Sequence, residues 1–132
     1  MAAVDQVTAP FVLPGLSHDV LLAKFFRALG DPTRLQILEA VLDSEKNVTA
    51  LVELTGAPQG RVSSHLACLR WCGYVATRQE GRQMFYRVAD RRVRKLLEEA
   101  RGLVEDNCNR IRSCTIIDRR RTPQRGRGRR RR

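Results

Sequence analysis

Residues 49–75, TALVELTGAPQGRVSSHLACLRWCGYV, hold two short amphipathic segments on either side of a glycine. In the second, Val62, Leu66 and Leu69 recur at spacings of four and three, which makes one apolar stripe on a helix of 3.6 residues per turn. In the first, Ala50–Thr55, capped by Thr49, Leu51, Val52 and Leu54 point inward, and Gly56 supplies the turn between the two. This is the pattern of a helix-turn-helix.

The second helix of such a unit enters the DNA major groove with its N-terminal residues on base edges, while the first steadies it on the backbone. The exposed N-terminal positions here are Gln59, Gly60, Arg61, Ser63 and Ser64, with His65 one turn further, and all but the glycine can hydrogen-bond bases or phosphates. Pro58 stands where Ser or Thr would cap better, and Gly60 inside the first turn costs up to about 1 kcal/mol. Cys68 and Cys72 are four apart and share a face, which lies roughly 105° around from the centre of the apolar stripe at the helical period. Arg61 and His65 lie on the cysteine side. A single intracellular cysteine is usually a small buried hydrophobe. A pair at this spacing, off the core stripe, reads instead as half of a thiolate site.

A chain of 132 residues fits one domain with a modest core, of a size often completed by oligomerisation. Its formal charge of +11 is concentrated at one end. Nine of the 25 basic residues are arginines between Arg119 and Arg132, where there is no acidic residue; residues 1–118 keep 16 bases against 14 acids, a net of +2. That C-terminal run is too charged and too rich in Gly and Pro to fold, so it reads as a disordered tail that can add phosphate contacts of no sequence preference or simply be solvated. No apolar run is long enough to span a membrane, and the N-terminus lacks the basic start and apolar core of a secretory signal. The expected location is therefore the cytoplasm, where four cysteines are reduced thiols suited to metal or redox chemistry rather than a disulfide framework.

In chain order, residues 1–16 form an arm without clear periodicity. Ser17 caps a first helix to Leu29, whose Val20, Leu21, Ala23, Phe25, Phe26, Ala28 and Leu29 cover more than half its circumference; part of that face is expected at a subunit interface. Gly30 ends it, and Asp31-Pro32 starts a second helix that buries Leu35, Ile37, Leu38, Val41 and Leu42. A polar segment, Asp43–Asn47, leads into the helix-turn-helix. After Gly73 the period changes to two: residues 74–78 and 83–88 flank Gln79-Glu80-Gly81-Arg82, the pattern of a hairpin. A hairpin directly after a reading helix is a wing, and its tip residues Arg78, Arg82 and Gln83 are candidates for phosphate or minor-groove contacts. Asp90 caps a last long helix carrying Val93, Leu96, Leu97, Ala100, Leu103 and Val104 at helical spacing, a second face for dimer packing. Cys108 and Cys114 near its end sit about 240° apart on a straight helix, so either one alone ligates or the segment Asn107–Thr115 is irregular. The expected architecture is mainly helical with a small β-hairpin (α+β), a homodimeric winged helix-turn-helix over residues 17–118.

The order helix, Asp31-Pro32-Thr33-Arg34 helix, helix-turn-helix with Val62-Ser63-Ser64-His65-Leu66 and Leu69-Arg70, then Gly73-Tyr74-Val75 and Glu80-Gly81-Arg82 before Tyr86, resembles the ArsR/SmtB family of winged-helix metal-sensing repressors. The likeness covers about residues 17–115. Within the family, Cys68-Leu69-Arg70-Trp71-Cys72-Gly73 most resembles the CmtR-type cadmium/lead sensors, which carry two cysteines in the reading helix and a third from the C-terminal region of the other subunit. The resemblance implies Cys114 as that third ligand, with Cys108 a substitute or fourth. It implies no catalytic residues. Family members with a Glu-Leu-Cys-Val-Cys-Asp-Leu type motif place cysteines on the first helix of the helix-turn-helix, and this chain has none there. Others use His and carboxylates on the last helix, whereas this chain has only His18 and His65, neither of them there.

Three or four thiolates favour a soft ion: Cd(II), Pb(II) or Hg(II) as inducer, with Zn(II), Cu(I) and trivalent arsenic also suited. The expected function is a repressor that holds double-stranded operator DNA as a metal-free homodimer and lets go when the metal binds. A structural zinc in a four-sulfur set and a thiol-based redox repressor remain open alternatives, and an RNA-binding protein is a third, resting on the basic tail. An enzyme is not expected, for there is no phosphate-binding glycine loop, no His-rich set and no paired carboxylates in a plausible pocket.

Overall fold

A computed structural model describes residue 15 and residues 17–119; the expected N-terminal arm and all but the first residue of the arginine tail lie outside the described residues. Among the described residues, six helices and three short strands follow in the order α1 (His18–Ala28), α2 (Pro32–Asp43), β1 (Lys46–Asn47), α3 (Val48–Thr55), α4 (Gln59–Trp71), β2 (Val75–Glu80), β3 (Gln83–Val88), α5 (Arg91–Ser113) and α6 (Thr115–Arg119). They form two compact units that divide between Arg94 and Lys95.

In the first unit, polar side chains at the caps start the helices. Ser17 Oγ accepts from the Val20 amide at 3.3 Å, and Asp31 Oδ1 accepts from the amides of Thr33 and Arg34 at 2.9 and 3.1 Å, with Pro32 at the first helical position. The N-terminus of α4 has no such bond, because its cap is Pro58. Helices α2, α3 and α4 pack on one another around Ile37, Leu38, Val41, Leu51, Val62, Leu66 and Leu69, all fully or nearly fully buried, and Tyr74 and Val75 close the core at the start of the sheet. The stripe read on the second helix of the helix-turn-helix is thus its buried face.

The helix-turn-helix begins earlier than Thr49. Asn47 is the cap, its Oδ1 accepting from the Ala50 amide at 2.9 Å, so α3 starts at Val48 and Thr49 lies inside it. Asn47 also pairs with Phe85, and Lys46 with Tyr86, which turns part of the polar connector into strand β1 of an antiparallel sheet ordered β1-β3-β2. Leu54 is 47% exposed, not inward. It lies about 110° from the centre of the stripe Val48–Leu51–Val52–Thr55, and an eight-residue helix packed on α2 and α4 covers no more than that stripe. Leu35 and Leu42, expected in the core, are half-buried.

The wing is tighter than the four-residue connector suggested. Pairing runs from Val75–Val88 to Glu80–Gln83, leaving only Gly81 and Arg82 in the turn, where Gly81 takes φ +60 and so needs no Cβ. Along α1 only Ala28 is buried, while Val20, Leu22 and Phe26 are exposed over 43–49% of their surface.

The second unit is the rest of α5 with α6. Leu97 is buried, whereas Leu103, Val104, Ile111, Ile116 and Ile117 are exposed. The backbone of α5 breaks at Asn107 (φ −122, ψ 17) and the helix stops before Cys114, so the segment carrying the last two cysteines is irregular.

Candidate thiol site and nucleic-acid interface

Cys68 lies on the last turn of α4 and Cys72 caps its C-terminus, both half-buried, and the Cys72 amide closes the helix on the Cys68 carbonyl at 3.0 Å. Burial pushes the Cys72 thiol up from its usual value, and the charge of Cys68 and a hydrogen bond with it push the same way. The charges of Lys24 and Arg34 oppose this by favouring the thiolate. Tyr74 stands beside the pair. Its hydroxyl donates to the Phe25 carbonyl at 2.9 Å and its ring stacks on Phe25 at 4.5 Å, and burial first, then the two sulfurs, hold the phenol proton on. An open cleft of about 250 Å³ lined by Leu21, Lys24, Phe25, Trp71 and Cys72 leads to the site. Trp71 is 94% exposed.

Two soft sulfurs sharing one face are suited to a thiophilic ion. They do not complete a site on their own: among the described residues, no three His, Cys, Asp or Glu side chains are grouped to hold a metal. Cys108 is exposed and Cys114 half-buried, both in the second unit.

The expected DNA-reading residues fall into two groups. Gln59, Gly60, Arg61, Ser63 and Ser64 are exposed along the first turns of α4, as are Arg82 and Gln83 at the wing tip. Gln83 also accepts a hydrogen bond from Asn47 Nδ2 at 3.3 Å. His65 and Arg78, by contrast, are occupied within the protein. The His65 side chain is 14% exposed and lies 3.3 Å from Arg34 Nη1 and 3.8 Å from Asp31 Oδ1. Arg78 is clamped by Glu45 at 3.0 Å and Glu80 at 2.9 Å, and its guanidinium lies 5.1 Å over the Phe85 ring. Those hydrogen bonds hold the arginine charged and draw the Glu45 carboxyl down.

Sequence reasoning missed Arg34, Lys24 and Tyr74 as neighbours of the thiols. Helical periodicity places residues on a face of their own helix and says nothing of which side chain of another helix faces them. The Asp31-Pro32-Thr33-Arg34 motif is the available signal for Arg34, and helix-start rules extract from it only the capping carboxylate.

Residues 31–77 match the family described as bacterial regulatory protein, arsR family. A probable mercury resistance operon repressor of Streptomyces lividans is 46% identical over 101 residues, which are 76% of this chain and 81% of that one. The HTH-type transcriptional regulator CmtR of Mycobacterium bovis is 45% identical over 78 residues, 59% of this chain and 66% of its own. Among solved structures, the homodimeric winged helix-turn-helix DNA-binding domain of a possible ArsR-family regulator from Mycobacterium bovis aligns with a TM-score of 0.64 at 27% identity, over 74% of this chain and 95% of that one. No helix among the described residues is long and apolar enough to cross a membrane. With a reading helix, a wing and these relatives, the chain belongs to the ArsR family and is a DNA-binding transcriptional repressor, not an enzyme.

Proposed function

We propose that this repressor is a heavy-metal sensor: as a metal-free homodimer it grips operator DNA, and it is released when Cd(II), Pb(II) or Hg(II) binds Cys68 and Cys72, with Cys114 or Cys108 from the other subunit completing the site. The observation that carries the reading is the position of Cys68 on the reading helix and Cys72 at its C-cap, one and two turns beyond the proposed DNA contacts. A ligand drawn from another segment to the same ion changes the tilt of that helix directly, and coupling of about 1–3 kcal/mol, a 5- to 150-fold change in affinity, is the usual scale of such switches.

Gln59, Arg61, Ser63 and Ser64 are the proposed base and phosphate contacts, with Arg82 and Gln83 from the wing. The exposed apolar residues of α1, Val20, Leu22 and Phe26, and those of α5, Leu103 and Val104, supply surface for a second copy of the chain. The mercury resistance repressor among the relatives favours a thiophilic inducer.

The test is an operator-binding titration with and without each metal. A metal-dependent loss of affinity supports the proposal; affinity unchanged by Cd(II), Pb(II) and Hg(II) refutes it. Release by peroxide in the presence of a chelator would favour the redox reading instead.

A further inference from the structure

Asn47 uses the two ends of one side-chain amide on different parts of the molecule. Its Oδ1 accepts from the Ala50 amide at 2.9 Å and so caps α3, while its Nδ2 donates to Gln83 Oε1 at the wing tip at 3.3 Å. The two ends are not interchangeable. A backbone N–H can only donate, so the atom that caps the helix is the oxygen and the one left for Gln83 is the nitrogen. Gln83 must answer with its own oxygen, and its Nε2 remains a donor.

The contact follows from register. Asn47 pairs with Phe85 across β1 and β3, and paired side chains share a face of the sheet. Gln83, two residues nearer the tip, stands on that face as the diagonal neighbour, within reach of a long side chain. β1 is only two residues long, and after Asn47 the chain leaves the sheet as α3. No backbone of β1 therefore supports Gln83 or the Gly81–Arg82 turn, and the Asn47 side chain carries that support further toward the tip. On the same face Glu45 holds Arg78, the partner of Phe85, at 3.0 Å, so the segment leading into α3 grips the wing at two points.

We infer that Asn47 is a positioning residue for DNA recognition: it fixes Gln83, and with it Arg82, relative to the helix-turn-helix, so that wing and reading helix meet the operator in one geometry. The inference rests on the docking of wing and reading helix proposed above. Helix α3 packs on α4, so a wing tip tied to the cap of α3 is tied to the reading helix as well. A tip already held in the free protein does not have to be ordered when DNA binds, and that saving appears as affinity.

Operator affinity of the metal-free protein tests this in wild type, Asn47→Ser, Gln83→Ala, the double variant and Arg82→Ala, with Tm measured in each. Serine caps a helix as well as asparagine does but is too short to reach Gln83, so Asn47→Ser keeps the wild-type Tm. Its operator affinity falls by about two- to tenfold, the scale of ordering one long side chain at an interface. In the Gln83→Ala background, where the tether is already gone, the same substitution costs nothing more. A loss that repeats in full in that background, or wild-type affinity for Asn47→Ser, overturns the tether, and a weakened Arg82→Ala then leaves the docking of the wing standing. Wild-type affinity for both Arg82→Ala and Gln83→Ala overturns the two together. Should Asn47→Ser fail to fold, ¹⁵N order parameters of Gly81 and Arg82 without DNA decide between wild type and Gln83→Ala, a substitution at an exposed position. The tether requires them to fall in the variant, and unchanged values overturn it.

Discussion

Gly60 is the second residue of the reading helix, and its replacement by alanine separates what the fold needs from what DNA needs. Its φ is not in the left-handed region, and a Cβ built on it would meet no atom within 4 Å. Alanine is therefore sterically free there. What remains is the backbone entropy that glycine loses on folding, which favours alanine by about 0.5–1 kcal/mol. For a domain of this size that raises Tm by roughly 2–8 °C, read by calorimetry or circular dichroism at fixed protein concentration. In the proposed docking the first turn of α4 lies against the operator, so the same methyl group intrudes on the DNA and lowers affinity. Stability and affinity move in opposite directions. A Tm that stays level or falls refutes the argument from backbone entropy and open space; a Tm that rises with unchanged operator binding refutes the docking.

Replacing Cys68 or Cys72 by Ser abolishes metal-dependent operator release while metal-free binding stays within a few-fold, as a gel-shift titration with Cd(II) or Hg(II) would show. Truncation after Asp118 makes the dependence of log affinity on log salt shallower, by about 0.9 for each phosphate that the tail neutralises; an unchanged slope means that the tail does not touch DNA. Leu69→Ala, which empties part of a fully buried position, destabilises the fold by about 2–5 kcal/mol in urea titrations. Asp31→Asn keeps a capping side chain but removes the charge. Burial raises the Asp31 pKa, yet the amides of Arg34 and Thr33 and the charges of His65 and Arg34 outweigh it, so the group sits below its usual value. A depressed carboxylate stabilises the fold above its unfolded pKa, and that contribution is lost as pH falls through the folded value. The stability gap between wild type and Asp31→Asn is therefore full at neutral pH and closes below about pH 4.

Local rules made the helices legible. Ser17, Asp31 and Pro32 announced helix starts, and the stripe Val62–Leu66–Leu69 announced the face that is buried. The rules failed where a residue's role was set from outside its own segment. Asn47 caps α3 while pairing with Phe85, a partner 38 positions away that no window on residues 43–49 contains. Leu54 has the chemistry of a core residue but falls on the side of α3 that its neighbours leave open. In the site, the spacing of Cys68 and Cys72 was enough to place both sulfurs on one face. Arg34 next to His65, and the clamp of Glu45 and Glu80 on Arg78, join residues up to 33 apart and could be seen only in three dimensions.

Trp71 gives the molecule an optical property that follows from where it stands. It is the chain's single indole, one residue from Cys72 and open to water. Heavy nuclei bound to adjacent sulfur shorten the excited state of such a ring by spin–orbit coupling, so mercury and lead should dim the intrinsic emission far more than zinc does. If the proposed site fills, Trp71 serves as a fluorescent gauge of it that needs no label and no DNA.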